Sequence, residues 1–177
     1  MRLNRLFSVA MLSFLFGVSA SAQQPYSGCW FPDDVINWSP LTDADAKFNR
    51  SRIPLQARID NHYGSGQIET ATITNKMCSL TPSQGDNNFL AYQPTYWQYM
   101  EKFINWGGAG NEGIFVLPPA GTIDAAHLNG VKILGTLFFM PRTIGGRDGW
   151  IEAMLTKDAN GKYPYAVKMY EIAKYFG

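Results

Sequence analysis

The stretch Thr122–Phe139 (TIDAAHLNGVKILGTLFF) decides the fold, because it reads as a short helix, a glycine turn and a strand. Thr122 is a candidate N-cap, and Asp124 places a negative charge in the first helical turn. Asn129 and Gly130 supply a left-handed exit from the helix. The nearly unbroken apolar run that follows is typical of a parallel strand covered on both faces. Together they predict half of a βαβ unit in an α/β protein.

The residues on either side of this stretch predict further strands and helices. We expect a strand that runs to Trp106 and ends in a glycine-rich loop. A second short apolar run, Ile114–Leu117, is stopped by two prolines. Further helices are predicted at Trp150–Thr156 and at Tyr165–Phe176, the latter with Pro164 in its first turn.

Residues 23–88 read as an irregular lead-in that packs on the main domain, which we assign to residues 89–177. Prolines recur through the lead-in, together with turn-forming clusters such as Asn61–Gly66. Within it, Gln67–Thr74 partly alternates apolar and polar residues, as an exposed strand would. Asp43–Lys47 suggests a single helical turn.

Residues 1–22 are predicted to be a signal peptide. Arg2 and Arg5 form its positive start, Leu6–Val18 its apolar segment, and Ala-Ser-Ala at 20–22 its cleavage site. The apolar segment is too short to span a membrane comfortably. We therefore expect export to the periplasm, the cell surface or the medium, with no membrane span after cleavage.

The composition is that of a globular protein, with 46% hydrophobic and 16% charged residues. Aromatic residues, at 14%, are suited to stacking on sugars, although large core side chains explain them better. Loss of Arg2 and Arg5 with the signal peptide lowers the formal charge from +1 to −1. Such a charge gives no electrostatic case for nucleic-acid binding.

Two cysteines, Cys29 and Cys78, leave two alternatives open. In an oxidising compartment they would close a loop of about 50 residues, worth roughly 4 kcal/mol in the chain-entropy model. They would otherwise be two separate buried thiols. With two distant histidines they form no structural zinc site, and no metal or organic cofactor is implied.

Four segments resemble glycoside hydrolase family 85. They are Ile36–Leu55 in the lead-in, Ala91–Gly108 (AYQPTYWQYMEKFINWGG), Leu117–Phe139 and Asp148–Gly177. The most specific blocks are Tyr96–Tyr99, Ala125–Val131 and Leu134–Thr136. The resemblance implies an endo-β-N-acetylglucosaminidase that cuts between the two core GlcNAc residues of N-glycans. It also implies a (β/α)8 TIM barrel.

A full barrel needs about 250 residues. We therefore expect an incomplete barrel, truncated at its C-terminus, with the first two strands and the helices towards the third. The resemblance implies substrate assistance, in which the substrate's own 2-acetamido group forms an oxazoline, helped by a catalytic Asn and Glu. Both are expected beyond residue 177, so no catalytic residue is assigned and the chain alone is predicted to be inactive.

The acidic residues present are predicted to have structural roles in solvent, and they are Asp33, Asp34, Glu101, Glu112, Glu152 and Glu171. His127 lies inside a helix, away from the carboxyl ends of the strands. A buried hydrogen-bonding role is therefore expected for it.

Chemistry in such barrels occurs at the carboxyl ends of the strands. That rule selects substrate-binding candidates after the two predicted strands, namely Asn105, Trp106, Gly107, Thr136, Phe138 and Phe139. Trp106 would stack on a sugar face or cap the barrel core. Phe138 and Phe139 should point to opposite sides, so at most one faces the pocket. Thr136 would donate a hydrogen bond to a sugar hydroxyl.

Two competing functions remain. One is a non-catalytic exported glycan-binding or scaffold protein that ends naturally at Gly177, which the aromatic content and the signal peptide would also suit. The other is a different sugar-active barrel enzyme.

Overall fold

The computed structural model describes residues 29–58, 69–75, 94–107 and 113–177. Its strands are β1 (Cys29–Trp30), β2 (Ala71–Asn75), β3 (Lys102–Trp106), β4 (Phe115–Val116), β5 (Lys132–Leu134) and β6 (Thr136–Leu137). Its α-helices are α1 (Pro32–Asn37), α2 (Ala46–Asn49), α3 (Ala120–Leu128), α4 (Trp150–Leu155) and α5 (Pro164–Phe176). Short 3₁₀ turns occupy Trp97–Tyr99 and Arg142–Ile144.

A parallel sheet in the order β2-β3-β5 forms the centre of the described region. The predicted helix, turn and strand are present as α3, the Asn129–Gly130 turn and β5. Gly130 has a φ of 70°, the left-handed conformation that the turn requires. The helix begins at Ala120, two residues before Thr122, and its N-cap is Pro119 rather than Thr122. The α/β class is therefore confirmed, whereas the barrel stays a prediction.

The apolar run after the turn is not one strand buried on both faces, as expected from the sequence. It breaks at Gly135 into β5, which pairs with β3, and β6, which pairs antiparallel with β4. A Cβ at Gly135 would clash with the Val116 carbonyl oxygen in the backbone of β4. The glycine lets the chain pass from one sheet to the other.

The sequence analysis expected two barrel strands, whereas the parallel sheet has three strands among the described residues. The additional strand is β2, which pairs along its whole length with β3. The alternation in Gln67–Thr74 did indicate a strand, but it was assigned to the lead-in. The boundary proposed at residue 88 stays a prediction, although β2 precedes it and β3 follows it.

A second, antiparallel sheet in the order β1-β4-β6 connects the lead-in to the rest of the chain. Cys29 in β1 pairs with Val116 in β4. Cys29 is disulfide-bonded, and Cys78 lies outside the described residues.

Three apolar clusters hold these elements together. The first joins the lead-in to α5 and β4 through Val35, Trp38, Ala46, Phe115, Leu117, Ile172 and Phe176. The second packs Phe103 of β3 against Ala126 of α3 and Val131. The third consists of Ile114, Met140 and Met154. The lead-in residues in the first cluster are thus part of the packed structure.

The lead-in also lies along α3. One carboxylate oxygen of Asp124 accepts hydrogen bonds from the Ser51 hydroxyl and from the amides of Arg52 and Ile53, at 2.7 to 3.0 Å. His127 Nδ1 lies 2.7 Å from the Ile53 carbonyl oxygen. The expected hydrogen-bonding role of His127 is confirmed, although its side chain is half-buried rather than buried.

Candidate functional site

Two of the predicted site residues at the carboxyl end of β3 lie on opposite faces of the parallel sheet. Side chains alternate along a strand, so Phe103 and Asn105 share one face while Ile104 and Trp106 share the other. The first is the covered face, because α3 packs on Phe103. The second is the open face, on which Ile73 and Leu134 are the register partners of Ile104. Asn105 is 4% exposed, whereas Trp106 is 37% exposed.

Trp106 is held against a second aromatic side chain. Its ring centroid lies 5.5 Å from that of Phe138, with the planes inclined at 57°. Phe138 in turn packs on the cluster of Ile114, Met140 and Met154. Its amide donates a 2.7 Å hydrogen bond to the Ile114 carbonyl oxygen. Part of the indole is therefore exposed to solvent, while Phe138 packs between it and the apolar cluster.

Phe138 and Phe139 differ in environment. Phe138 is partly buried between Trp106 and the apolar cluster, whereas Phe139 is exposed. The contact with Trp106 therefore involves Phe138.

Thr136 does not offer the free hydroxyl that the sequence analysis expected. Its side chain is 6% exposed. The hydroxyl donates to the Asn105 carbonyl oxygen at 2.8 Å and accepts from the Gly107 amide at 3.2 Å. Because its one proton is already donated, Thr136 is not positioned to donate to a sugar. Gly107 is buried, and its amide is used in this contact.

Two of the carboxylates that were assigned structural roles form ion pairs. Glu101 pairs with Arg58 at 2.7 Å, and Glu171 pairs with Lys168 at 3.0 Å. Glu152 is exposed on α4, and Glu112 lies outside the described residues. Within the described ranges, no group of three or more His, Cys, Asp or Glu side chains could hold a metal ion.

An ion pair lies at the amino ends of the same strands. Lys102 at the start of β3 forms an ion pair with Glu69. The hydrogen bond and the charge of Lys102 lower the pKa of Glu69 below its ordinary value, and Glu69 raises the pKa of Lys102 in the same way. The ion pair thus joins the starts of β2 and β3.

One contributor that sequence reasoning missed is β2, whose carboxyl end lies beside Asn105 and Trp106. Thr74 is the register partner of Asn105. Its buried hydroxyl oxygen has no hydrogen-bond partner within the part of the chain that the structure describes. The alternation in Gln67–Thr74 was the signal that could have placed this strand in the sheet.

The family model described as glycosyl hydrolase family 85 matches residues 74–177, which run from β2 to the end of the chain. The chain belongs to glycosyl hydrolase family 85. The resemblance drawn from the sequence is thereby confirmed. The region that the family model matches includes Trp106, Thr136, Phe138 and Phe139.

The fold of the family 85 chain is similar to the crystal structure of the glycoside hydrolase domain of Endo-D from Streptococcus pneumoniae R6. The TM-score is 0.67 at 28% sequence identity, and the match covers 87% of this chain and 24% of that chain. This chain therefore spans about a quarter of the length of the solved protein. No curated protein sequence matches it. None of the helices in the described ranges is long and apolar enough to cross a membrane.

Proposed function

We propose that the complete product of the gene encoding this chain is an endo-β-N-acetylglucosaminidase that hydrolyses the GlcNAc-β1,4-GlcNAc core of N-glycans. The observation that carries the proposal is the partly exposed Trp106 at the carboxyl end of β3, in a chain of family 85. Catalytic barrels place their chemistry at this end of the strands. The polypeptide described here would form the first part of such a barrel.

Trp106 has the properties of a sugar-stacking residue. The face of an indole carries negative charge density and attracts the polarised C–H groups of a pyranose ring. Phe138 limits the rotation of the indole, so less side-chain entropy is lost when a sugar binds. Phe139, which is exposed nearby in the chain, supplies a further apolar surface. Asn105, Gly107 and Thr136 act behind this surface as support.

The mechanism that we propose is substrate-assisted. The 2-acetamido oxygen of the GlcNAc attacks its own anomeric carbon and forms an oxazoline, which water then opens. An Asn orients the acetamido group and a Glu acts first as general acid and then as general base, and both are expected beyond residue 177. Within the described residues, Glu101 and Glu171 are engaged in ion pairs, and Asp124 binds the backbone of the lead-in. The role of the present chain is therefore to bind and orient the substrate.

The predicted signal peptide at residues 1–22 suits a substrate outside the cytoplasm. N-linked glycans on glycoproteins are encountered there. Export and cleavage after Ala22 are part of the proposal, and N-terminal sequencing of the mature protein tests them.

The test of activity uses the complete gene product and a glycoprotein with one high-mannose N-glycan. We expect a released oligosaccharide with one GlcNAc at its reducing end and a protein that keeps the other GlcNAc, both measured by mass spectrometry. Cleavage of the amide bond to asparagine, or binding without any release, would exclude this function. The latter result would favour the glycan-binding alternative.

The 177-residue chain by itself is the matched comparison. It should release no glycan, because the acid/base and the amide-orienting residue lie elsewhere. Release by this chain would show that the catalytic groups have been wrongly assigned.

A further inference from the structure

A single buried hydroxyl holds the backbone on both sides of Trp106. We propose that Thr136 is a positioning residue that sets the orientation of the Trp106 ring, and through it the stacking of the glycan. The effect on glycan stacking rests on the function proposed above. The orientation of the Trp106 ring concerns this chain alone and is tested separately.

The pairing between β3 and β5 ends just before Trp106. The register joins Lys102 to Lys132 and Ile104 to Leu134, and the Lys132 amide donates to the Glu101 carbonyl oxygen at 3.1 Å. Continuing this register would place Trp106 opposite Thr136. In a parallel ladder, the backbone of Thr136 would then bond the Asn105 carbonyl and the Gly107 amide.

The backbone of Thr136 is used elsewhere. At Gly135 the chain leaves the parallel sheet, and Thr136 pairs with Val116 in the antiparallel sheet. The side chain takes over the missing pairing, since Oγ1 donates to the Asn105 carbonyl oxygen and accepts from the Gly107 amide. One hydroxyl thus replaces a backbone N–H and a backbone C=O.

A hydroxyl is suited to this position because it donates and accepts through one small atom. Valine has the same shape but neither capacity. With valine, the Asn105 carbonyl and the Gly107 amide would lose these partners in a buried setting, which is strongly unfavourable. The backbone that bears Trp106 would then be free to shift, and the indole would lose its alignment against Phe138.

The experiment compares Thr136→Val with Thr136→Ser in the complete gene product labelled with 5-fluorotryptophan. The ¹⁹F resonance of Trp106 is identified by its loss in Trp106→Phe. We expect Thr136→Val to shift or broaden this resonance and to raise KM for the glycoprotein by about tenfold, with a smaller change in kcat. Thr136→Ser, which keeps the hydroxyl, should retain the resonance and most of the affinity.

Thr74→Val is the matched control. It makes the same change of atoms in a neighbouring strand, where the buried hydroxyl has no hydrogen-bond partner among the described residues. It should therefore leave the Trp106 resonance close to that of the unsubstituted protein. An equal effect of Thr74→Val and Thr136→Val would overturn the proposal, because a general loss of packing would then explain both.

Hydrogen exchange of the Gly107 amide in the unsubstituted protein is a readout that needs no folded variant. We expect protection, and exchange at the rate of an open amide would overturn the proposal. If the unsubstituted protein neither binds nor cleaves glycans but Thr136→Val moves the Trp106 resonance, the enzymatic function fails and the positioning role stands. If the protein cleaves glycans and Thr136→Val changes neither resonance nor KM, the positioning role fails.

Discussion

The two faces of the parallel sheet differ in burial within the described region. On the covered face, Phe103 is buried against α3, a helix that follows it closely in the chain. On the open face, Ile73 is 59% exposed and Leu134 is 46% exposed. The apolar side chains of the open face therefore need elements other than those described to bury them. The comparison teaches that α3 buries the first face, whereas none of the described elements buries Ile73 or Leu134 on the second.

The largest effect is expected from apolar truncations on the two faces. Phe103→Ala should lower the free energy of unfolding by about 3–5 kcal/mol, because it leaves a cavity under α3. If the complete product closes a barrel, Ile73 becomes a core residue and Ile73→Ala should cost about 2–5 kcal/mol. Chemical denaturation followed by tryptophan fluorescence measures both.

Leu41→Ala is the control for this pair, because Leu41 is almost fully exposed and its truncation should change the unfolding free energy by less than about 0.5 kcal/mol. An Ile73→Ala effect as small as that of Leu41→Ala would contradict the barrel. It would mean that the open face stays open in the complete product.

A smaller effect is expected at the carboxyl end of the open face. Trp106→Ala should reduce the affinity for the N-glycan by about threefold to tenfold, since one aromatic contact is lost. Titration calorimetry on the complete product measures the affinity. Tyr99→Ala provides a control, because this tyrosine is similarly aromatic and exposed but precedes β3 at the other end. Unchanged affinity in Trp106→Ala would remove Trp106 from the site.

The smallest effect concerns the ion pair at the amino end of the sheet. Lys102 lowers the pKa of Glu69, so the stabilising contribution is present at neutral pH and is lost as the pH falls through the lowered pKa, below 4.5. Glu69 raises the pKa of Lys102, so the contribution is also lost as the pH rises above 10.5. Glu69→Gln should therefore lower Tm slightly at pH 7 and match the parent protein in acid.

Calorimetric scans at several pH values measure this difference. Glu152→Gln, an exposed change on α4, is the comparison variant. A difference in Tm between Glu69→Gln and the parent that persists in acid would contradict the assignment, because a protonated Glu69 no longer carries the charge.

Much of the local structure could be predicted from the sequence. The α3–turn–β5 unit follows from local signals, because Gly130 permits the left-handed turn that ends the helix. The last helix begins at Pro164 as the fixed φ of proline favours. The alternation of side chains along β3 also places Trp106 and Asn105 on opposite faces of the sheet. Both were nevertheless selected as substrate-binding candidates without regard to this alternation.

The sequence by itself determined the three later helices, the turn at Gly130 and the family, since these depend on residues close together in the chain and on motifs, whereas helix α1 was not predicted. Only the tertiary structure decided that β2 belongs to the parallel sheet, that the apolar run breaks at Gly135, and that Thr136 bonds the backbone beside Trp106. The physical reason is that the neighbouring residues in the chain do not specify the hydrogen-bond partner of a backbone group or a hydroxyl. That partner comes from a segment that is distant in the sequence. Whether Thr136 faces a sugar or the end of β3 depends on where a strand some 30 residues earlier passes.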